Sequence, residues 1–346
     1  MMAPDPDAAP PPAGQPAEEK TGPAAYTREE LEHAILGADF LETTDEVTAG
    51  SGLTLEQARR LWRALGFPER VLEMGYSAAD VDAVAKVGAV VDSGAIDFDM
   101  AVNLTRAVGQ TMARLADWEV ATLISRVEQL EASPEATGSR LGSALRIVEE
   151  VNGPFEGLLT YAWRRHLAAA VARVEAMGAN EEDLHTTAVT VGFADIVAFT
   201  ELSNRLDEDR LGDLIELFES RCHDVVSGLG GRVIKSIGDS VLFVNESAEP
   251  AIETAEGIIN VVGRDARMPD VRVGLASGSV IMRLGDVFGP PVNLASRLTA
   301  VARRNRVIID DATAALLSPE RFETRRLTAR PVRGFGLVEP VAVRRV

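Results

Sequence analysis

Cysteine is almost missing from this sequence: Cys222 is the single one among 346 residues. An internal disulfide is excluded, and a lone thiol fits a reducing, cytoplasmic setting in which buried cysteines serve as inert packing. Lysine is nearly as scarce. Lys20, Lys86 and Lys235 are the three present and the other basic positions are arginine, so a lysine within a motif carries unusual weight. No apolar run approaches the roughly 18 residues that a membrane span needs. The N-terminus lacks the basic stretch followed by an apolar one that marks a secretory signal. Positive charge is also in deficit, with 35 Lys and Arg against 53 Asp and Glu and a net charge of −18. That balance argues against general nucleic-acid binding, which needs clustered cations, but leaves room for a local basic patch.

What is present suffices for sizeable cores: 46% of residues are hydrophobic and the mean hydropathy is +0.03. The length favours two domains. Residues 1–25, with APDPDAAPPPAGQPAEEKTGPAA at 3–25, have almost nothing to bury and read as a disordered segment. Residues 26–153 read as a helical domain of short helices punctuated by Gly and Pro. Examples are TREELEHAIL (27–36), LEQARRLWRAL (55–65) and AADVDAVAKV (78–87). Thr27 and Ser77 each precede an acidic residue by three positions, the mark of a helix N-cap. Residues 154–184 read as a connecting helix and linker, opened by Pro154 and running to about Met177. Trp163, Leu167, Ala170, Val174 and Met177 have the spacing of a short coiled-coil seam, with His166 flanking it.

From residue 185 to 346 the grammar changes to strands alternating with helices. Val189, Val191 and Phe193 share one face of a strand at 187–196. RVIKSI (232–237) and SVLFV (240–244) flank Gly238-Asp239, a tight-hairpin signal. The order β-α-β-β-α-β predicts an α+β domain with a largely antiparallel sheet and helices on one face. Two carboxylates stand out in it. Asp195 ends an otherwise apolar strand, and Asp239 sits in the hairpin turn. Taken singly, each reads as an ordinary strand-end or turn aspartate. Brought together at one sheet edge, they would repel unless a cation lay between them, and Mg²⁺ or Mn²⁺ suits an all-oxygen donor set. Asn293 and Arg297, at i and i+4, share one face of a helix.

FADIVAFT (193–200), KSIGD (235–239) and DVFGPPVNLASRL (286–298) occur in the order found in class III nucleotidyl cyclases, and the chain resembles that family. The layout resembles bacterial adenylate cyclases whose N-terminal helical domain autoinhibits and senses acid. The resemblance implies a ferredoxin-like catalytic domain making cyclic AMP and pyrophosphate from ATP, preceded by an all-α regulatory domain and a connecting helix. It implies that Asp195, Asp239 and the carbonyl of Ile196 bind two Mg²⁺ or Mn²⁺ ions per site. It implies that Lys235 and Asp286 read the purine and favour ATP over GTP, and that Asn293 and Arg297 orient the ribose and stabilise α-phosphate charge. Arg333 stands where the family usually has a lysine facing the terminal phosphates. It further implies a homodimer, with each site shared between subunits.

Regulation by pH would involve His166 and His185, histidine being the side chain that titrates near neutrality. A lipid or fatty acid is another candidate ligand for the helical domain. A second reading comes from residues 51–67 and 76–84, which resemble a helix-turn-helix segment. Arg59, Arg60 and Arg63 would contact DNA phosphates, in a regulator whose cyclase domain is degenerate. The plainer reading, a packing module with solvated arginines, suits the acidic chain better.

Overall fold

The computed structural model describes residues 27–37, 52–67, 76–176, 186–283 and 285–346. The segment at 1–25, Met177, the linker at 178–184 and His185 therefore lie outside the described residues. The chain divides into two units, residues 1–168 and 169–346.

The first unit is helical: α1 (Arg28–Leu36), α2 (Leu55–Leu65), α3 (Ala78–Asp92), α4 (Phe98–Glu131) and most of α5 (Arg140–Ala176). Thr27 and Ser77 are N-caps, each in a reciprocal box with Glu30 or Asp80. Each box satisfies amide donors that a helix start would otherwise leave without partners. Leu61 and Trp62 of α2 are buried with Tyr76, Val84 and Val102, and the Trp62 and Tyr76 rings stack at 4.6 Å. The helix expected to open at Pro154 begins instead at Arg140 and runs through the proline. An interior proline gives up one amide hydrogen bond and crowds both the carbonyl one turn back and the residue before it; here that residue is Gly153, which has no Cβ to add to the crowding. The helix is exposed at this point, so water can reach the carbonyl left without an amide partner. Trp163, Leu167 and Val174 are exposed along α5.

The second unit holds β1 (Thr186–Ile196), α6 (Phe199–Ser203), α7 (Glu208–Gly228), β2 (Arg232–Ile237), β3 (Ser240–Asn245), α8 (Ala248–Gly263) and β4 (Val271–Arg283). Then come β5 (Asp286–Phe288), α9 (Pro290–Val301), β6 (Val307–Ile309), α10 (Asp311–Ala315), β7 (Phe322–Arg326), β8 (Arg330–Val332), β9 (Gly336–Val338) and β10 (Val341–Arg345). The main sheet runs β2-β3-β1-β4-β6-β10-β7, with β5 added on β4 and a separate β8-β9 hairpin. Its first four strands are antiparallel neighbours in the ferredoxin-like arrangement. β4 and β6 are parallel.

Helices cover both faces of this sheet, which corrects the expectation of one. On the first face Ala194, Ile196, Val241, Phe243, Val273 and Leu275 pack with Phe218 and Cys222 of α7 and Ile252 and Ile258 of α8. Burial pushes the Cys222 thiol pKa far up, so it is inert packing. On the second face Val191, Phe193, Leu242 and Ala276 pack with Ala295 of α9. A sheet apolar on both sides has to be covered on both. α9 lies against the strand at Gly274, where a Cβ would come within 2.3 Å of the Thr299 amide nitrogen.

Candidate functional site

The two flagged aspartates meet at one end of the second face. Asp195 is the penultimate residue of β1 and stands opposite Ser240 on β3 and Arg272 on β4. Asp239 occupies the turn after Gly238, which takes a φ of 61° that glycine adopts at little cost. The turn is latched to β1 by the Ile196 amide, which donates to the Asp239 carbonyl at 3.1 Å. Burial, and next the neighbouring Asp195 carboxylate, hold the Asp239 carboxyl above the usual carboxylate range.

Two further residues, absent from the sequence reading, complete this cluster. Ser240 Oγ donates to Asp195 Oδ1. Arg272 contacts Asp195 Oδ2 through Nε at 2.8 Å and Nη2 at 2.7 Å, while its Nη1 donates to the Ala300 carbonyl at 3.2 Å. A lone arginine near the start of an apolar strand is the same kind of signal that exposed Asp195. Seeing that they pair required the β1–β4 register.

The donor set fits hard divalent cations. Asp195, Asp239 and the Ile196 carbonyl offer oxygen only; Arg272 already offsets Asp195 from one side, and a divalent cation would offset the repulsion that remains at Asp239. Among the described residues no cluster of three or more His, Cys, Asp or Glu could hold a metal. A bound ion would therefore complete its shell with water and substrate oxygens, as Mg²⁺ commonly does.

Lys235 and Asp286 form a second cluster. Lys235 Nζ donates to Asp286 Oδ2, and Asp286 Oδ1 accepts from the Val287 amide at 2.8 Å. The side chains are 36% and 25% exposed, so a ligand can reach both. Lys235 pairs with Leu242 across the hairpin, and Asp195 aligns with Ser240 on the same strand. Both clusters thus emerge on the face that α9 covers.

Asn293 and Arg297 are exposed on α9, one turn apart. Thr299 ties that helix to β1 by donating to the Phe193 carbonyl at 3.2 Å. Arg333 lies in the exposed turn of the β8–β9 hairpin. Among the described residues, no side-chain hydrogen bond or ion pair joins Asn293, Arg297, Arg333 or the Lys235–Asp286 pair to the two aspartates. His166 is exposed on α5, distant in sequence from these clusters.

A family model described as the adenylate and guanylate cyclase catalytic domain matches residues 182–343. The chain is 37% identical over 337 residues to an adenylate cyclase of Streptomyces coelicolor, covering 90% of this chain and 87% of that one. A pH-sensitive adenylate cyclase of Mycobacterium tuberculosis is 29% identical over 313 residues, covering 87% of this chain and 77% of that one. Among solved structures, the catalytic core of a rhodopsin-guanylyl cyclase with converted specificity, in complex with ATPalphaS, is 26% identical with a TM-score of 0.44. It covers 47% of this chain and 98% of that one.

Proposed function

The chain belongs to the class III nucleotidyl cyclases, and we propose that it converts ATP to 3′,5′-cyclic AMP and pyrophosphate at sites shared between two copies. The observation that carries this reading is the pairing of Lys235 with Asp286 on the sheet face that also bears the Asp195–Asp239 cluster. A lysine donates to adenine N1 and an aspartate accepts from the 6-amino group. Guanine presents the opposite donor–acceptor pattern, so the pair selects ATP.

Two Mg²⁺ or Mn²⁺ ions would be held by Asp195, Asp239 and the Ile196 carbonyl, supplying charge neutralisation at the phosphates and easier ionisation of the ribose 3′-hydroxyl. Asn293 orients the ribose. The 3′-oxygen bonds to the α-phosphorus, the bond to the bridging oxygen breaks, and pyrophosphate leaves. Arg297 stabilises the charge that builds on the α-phosphate. Arg333, an arginine in place of lysine, keeps a cation facing the terminal phosphates, with a forked donor set.

In the dimer, Asp195 and Asp239 of one copy face Lys235, Asp286, Asn293 and Arg297 of the other. One feature supports this: Ile237 and Phe288, each adjoining one of these groups along the chain, are exposed apolar residues. Mixing tests it. Asp195→Ala and Asn293→Ala proteins, each inactive alone, recover activity after subunit exchange, since one mixed site is intact. No recovery would rule out shared sites.

The helical unit, with 154–184 as connector, controls the dimer. Its signal is acid, read by His166 beside the exposed α5 seam, where Arg164 and Arg165 are the adjacent charges; His185 is the second candidate. If His166→Ala leaves the pH–activity profile superimposable on wild type, this assignment is wrong. A lipid or fatty acid is the other signal, supported by the exposed α4 stripe Met100, Leu104, Val108 and Met112. Oleate that leaves activity unchanged would count against it.

A further inference from the structure

Lys235 and Asp286 meet although their strands share no ladder. β5 pairs with β4, and β4 stands three strands from β2 in the main sheet, yet β2 and β5 come into contact. The spacing of the pair is therefore set by side-chain packing rather than by backbone hydrogen bonds.

The ladder between β2 and β3 is irregular beside the lysine. Its register steps from Val233–Phe243 to Lys235–Leu242 and passes over Ile234. This is a β-bulge, in which one strand holds an extra residue and bends. Successive side chains of a regular strand alternate between faces, so Ile234 would point away from the face that bears Lys235. Instead Val233 packs against the core of the first face, and Ile234 packs against the second-face cluster that includes Leu242 and Val287. Lys235 follows its partner Leu242 onto that same face. The bulge thus brings two consecutive side chains to the site.

We infer that Ile234 is a positioning residue for Lys235: turned to the site face by the bulge, it packs on the apolar floor beneath the Lys235–Asp286 pair and fixes the lysine's reach. The inference rests on the reading that this pair selects the base. The floor underlies both partners. Leu242 stands opposite Lys235, and the Val287 amide donates to Asp286 Oδ1 at 2.8 Å. The short turn at Gly238-Asp239 sets the register of Lys235, and hence its face. Register alone leaves a flexible four-carbon stem free to swing. An apolar neighbour on the same face gives that stem a surface to lie along.

The test measures kcat/KM for ATP and for GTP on full-length protein. Ile234→Ala keeps the bulge but removes the packing. It should lower the ATP-to-GTP ratio about tenfold, less than a full ångström of misplacement costs, mainly through a raised KM for ATP. Deleting Ile234 leaves a regular ladder with the partners of Val233 and Lys235 kept, and should lower the ratio at least as far. Ile234→Val restores most of the side chain and should come within about twofold of wild type. Val233→Ala is a comparable cut at a half-buried neighbour on the first face; it should lower Tm to a similar degree and leave the ratio alone. In a Lys235→Ala background, Ile234→Ala should change the ratio no further, because a residue that acts through another is not additive with it. A ratio moved as far by Val233→Ala, or a further drop in the double variant, would overturn the inference. A ratio lost in Lys235→Ala but kept in Ile234→Ala would overturn it while leaving the base reading intact. An unchanged ratio in Lys235→Ala itself would sink the base reading and this inference together.

Discussion

The contact between α9 and β4 offers a demanding test, because it ties packing to chemistry through one missing methyl group. A Cβ added at Gly274 would stand 2.3 Å from the Thr299 amide nitrogen and 2.5 Å from both the Ala295 carbonyl oxygen and Thr299 Oγ1. Two of those atoms are backbone, so no side-chain rotation relieves the clash, and α9 must retreat by about 1 Å. Overpacking of this kind costs about 1–3 kcal/mol. In a unit of this size that lowers Tm by about 3–10 °C. Asn293 and Arg297, the proposed catalytic groups, ride on the same helix, and a 1 Å misplacement of such groups costs about a hundredfold in rate. Gly274→Ala should therefore lose stability by differential scanning calorimetry and about two orders of magnitude in kcat for cyclic AMP formation. Gly212→Ala is the matched control. It is exposed on α7 with nothing near its Cβ position, and should gain about 0.5–1 kcal/mol with unchanged kcat. A Gly274→Ala protein with wild-type Tm and wild-type kcat would refute the reasoning. A lowered Tm with unchanged kcat would refute the link from α9 to catalysis.

Arg272→Gln removes the cation paired with Asp195 and should lower activity about tenfold to a hundredfold, the scale of a lost charge-assisted contact. Because Arg272 travels with the carboxylates, subunit exchange with Asn293→Ala should restore activity and exchange with Asp195→Ala should not; the opposite pattern would misplace Arg272. Lys235→Glu sets two carboxylates against each other in the pair proposed to read the base. It should reduce kcat/KM for ATP at least about a hundredfold and lower the ATP-to-GTP ratio with it, and an unchanged ratio would show that the pair does not read the base.

Much of the site was legible because its residues break local patterns. Asp195 interrupts an apolar strand, and Gly238-Asp239 punctuates two others. Other features depend on atoms remote in sequence. Arg272 lies 77 positions from Asp195, and only strand register joins them. The first face was hidden because β1 presents to it the small residues Gly192 and Ala194, which look like a weak apolar stripe. Gly192 has no room for a side chain because the Phe243 ring crosses above it, where a Cβ would come within 2.2 Å. The start of α5 was missed because Pro154 reads as a first helical residue, where its missing amide has no cost, whereas the helix runs through it.

Covering both faces also bears on how such a site can be regulated. The first face is sealed by α7 and α8 over a core with almost no exposure, so the strands carrying Asp195 and Lys235 are held from behind. On the second face the short α9 leaves the strand ends open, and the polar groups emerge there. Asp195, Asp239 and Lys235 sit on or between strands, and Asn293 and Arg297 sit on a helix anchored through Thr299. Side chains placed this way are costly to rearrange individually, because each shift disturbs packed neighbours. On the proposed shared-site reading, a signal received by the helical unit is therefore better spent on moving two half-sites relative to each other than on remodelling either one. Kinetically, such control appears as a change in the fraction of competent dimers. It should alter kcat for ATP while leaving the ATP-to-GTP ratio set by Lys235 and Asp286 constant across activating and inhibiting conditions. A ratio that drifted with the signal would place the regulation inside the half-site instead.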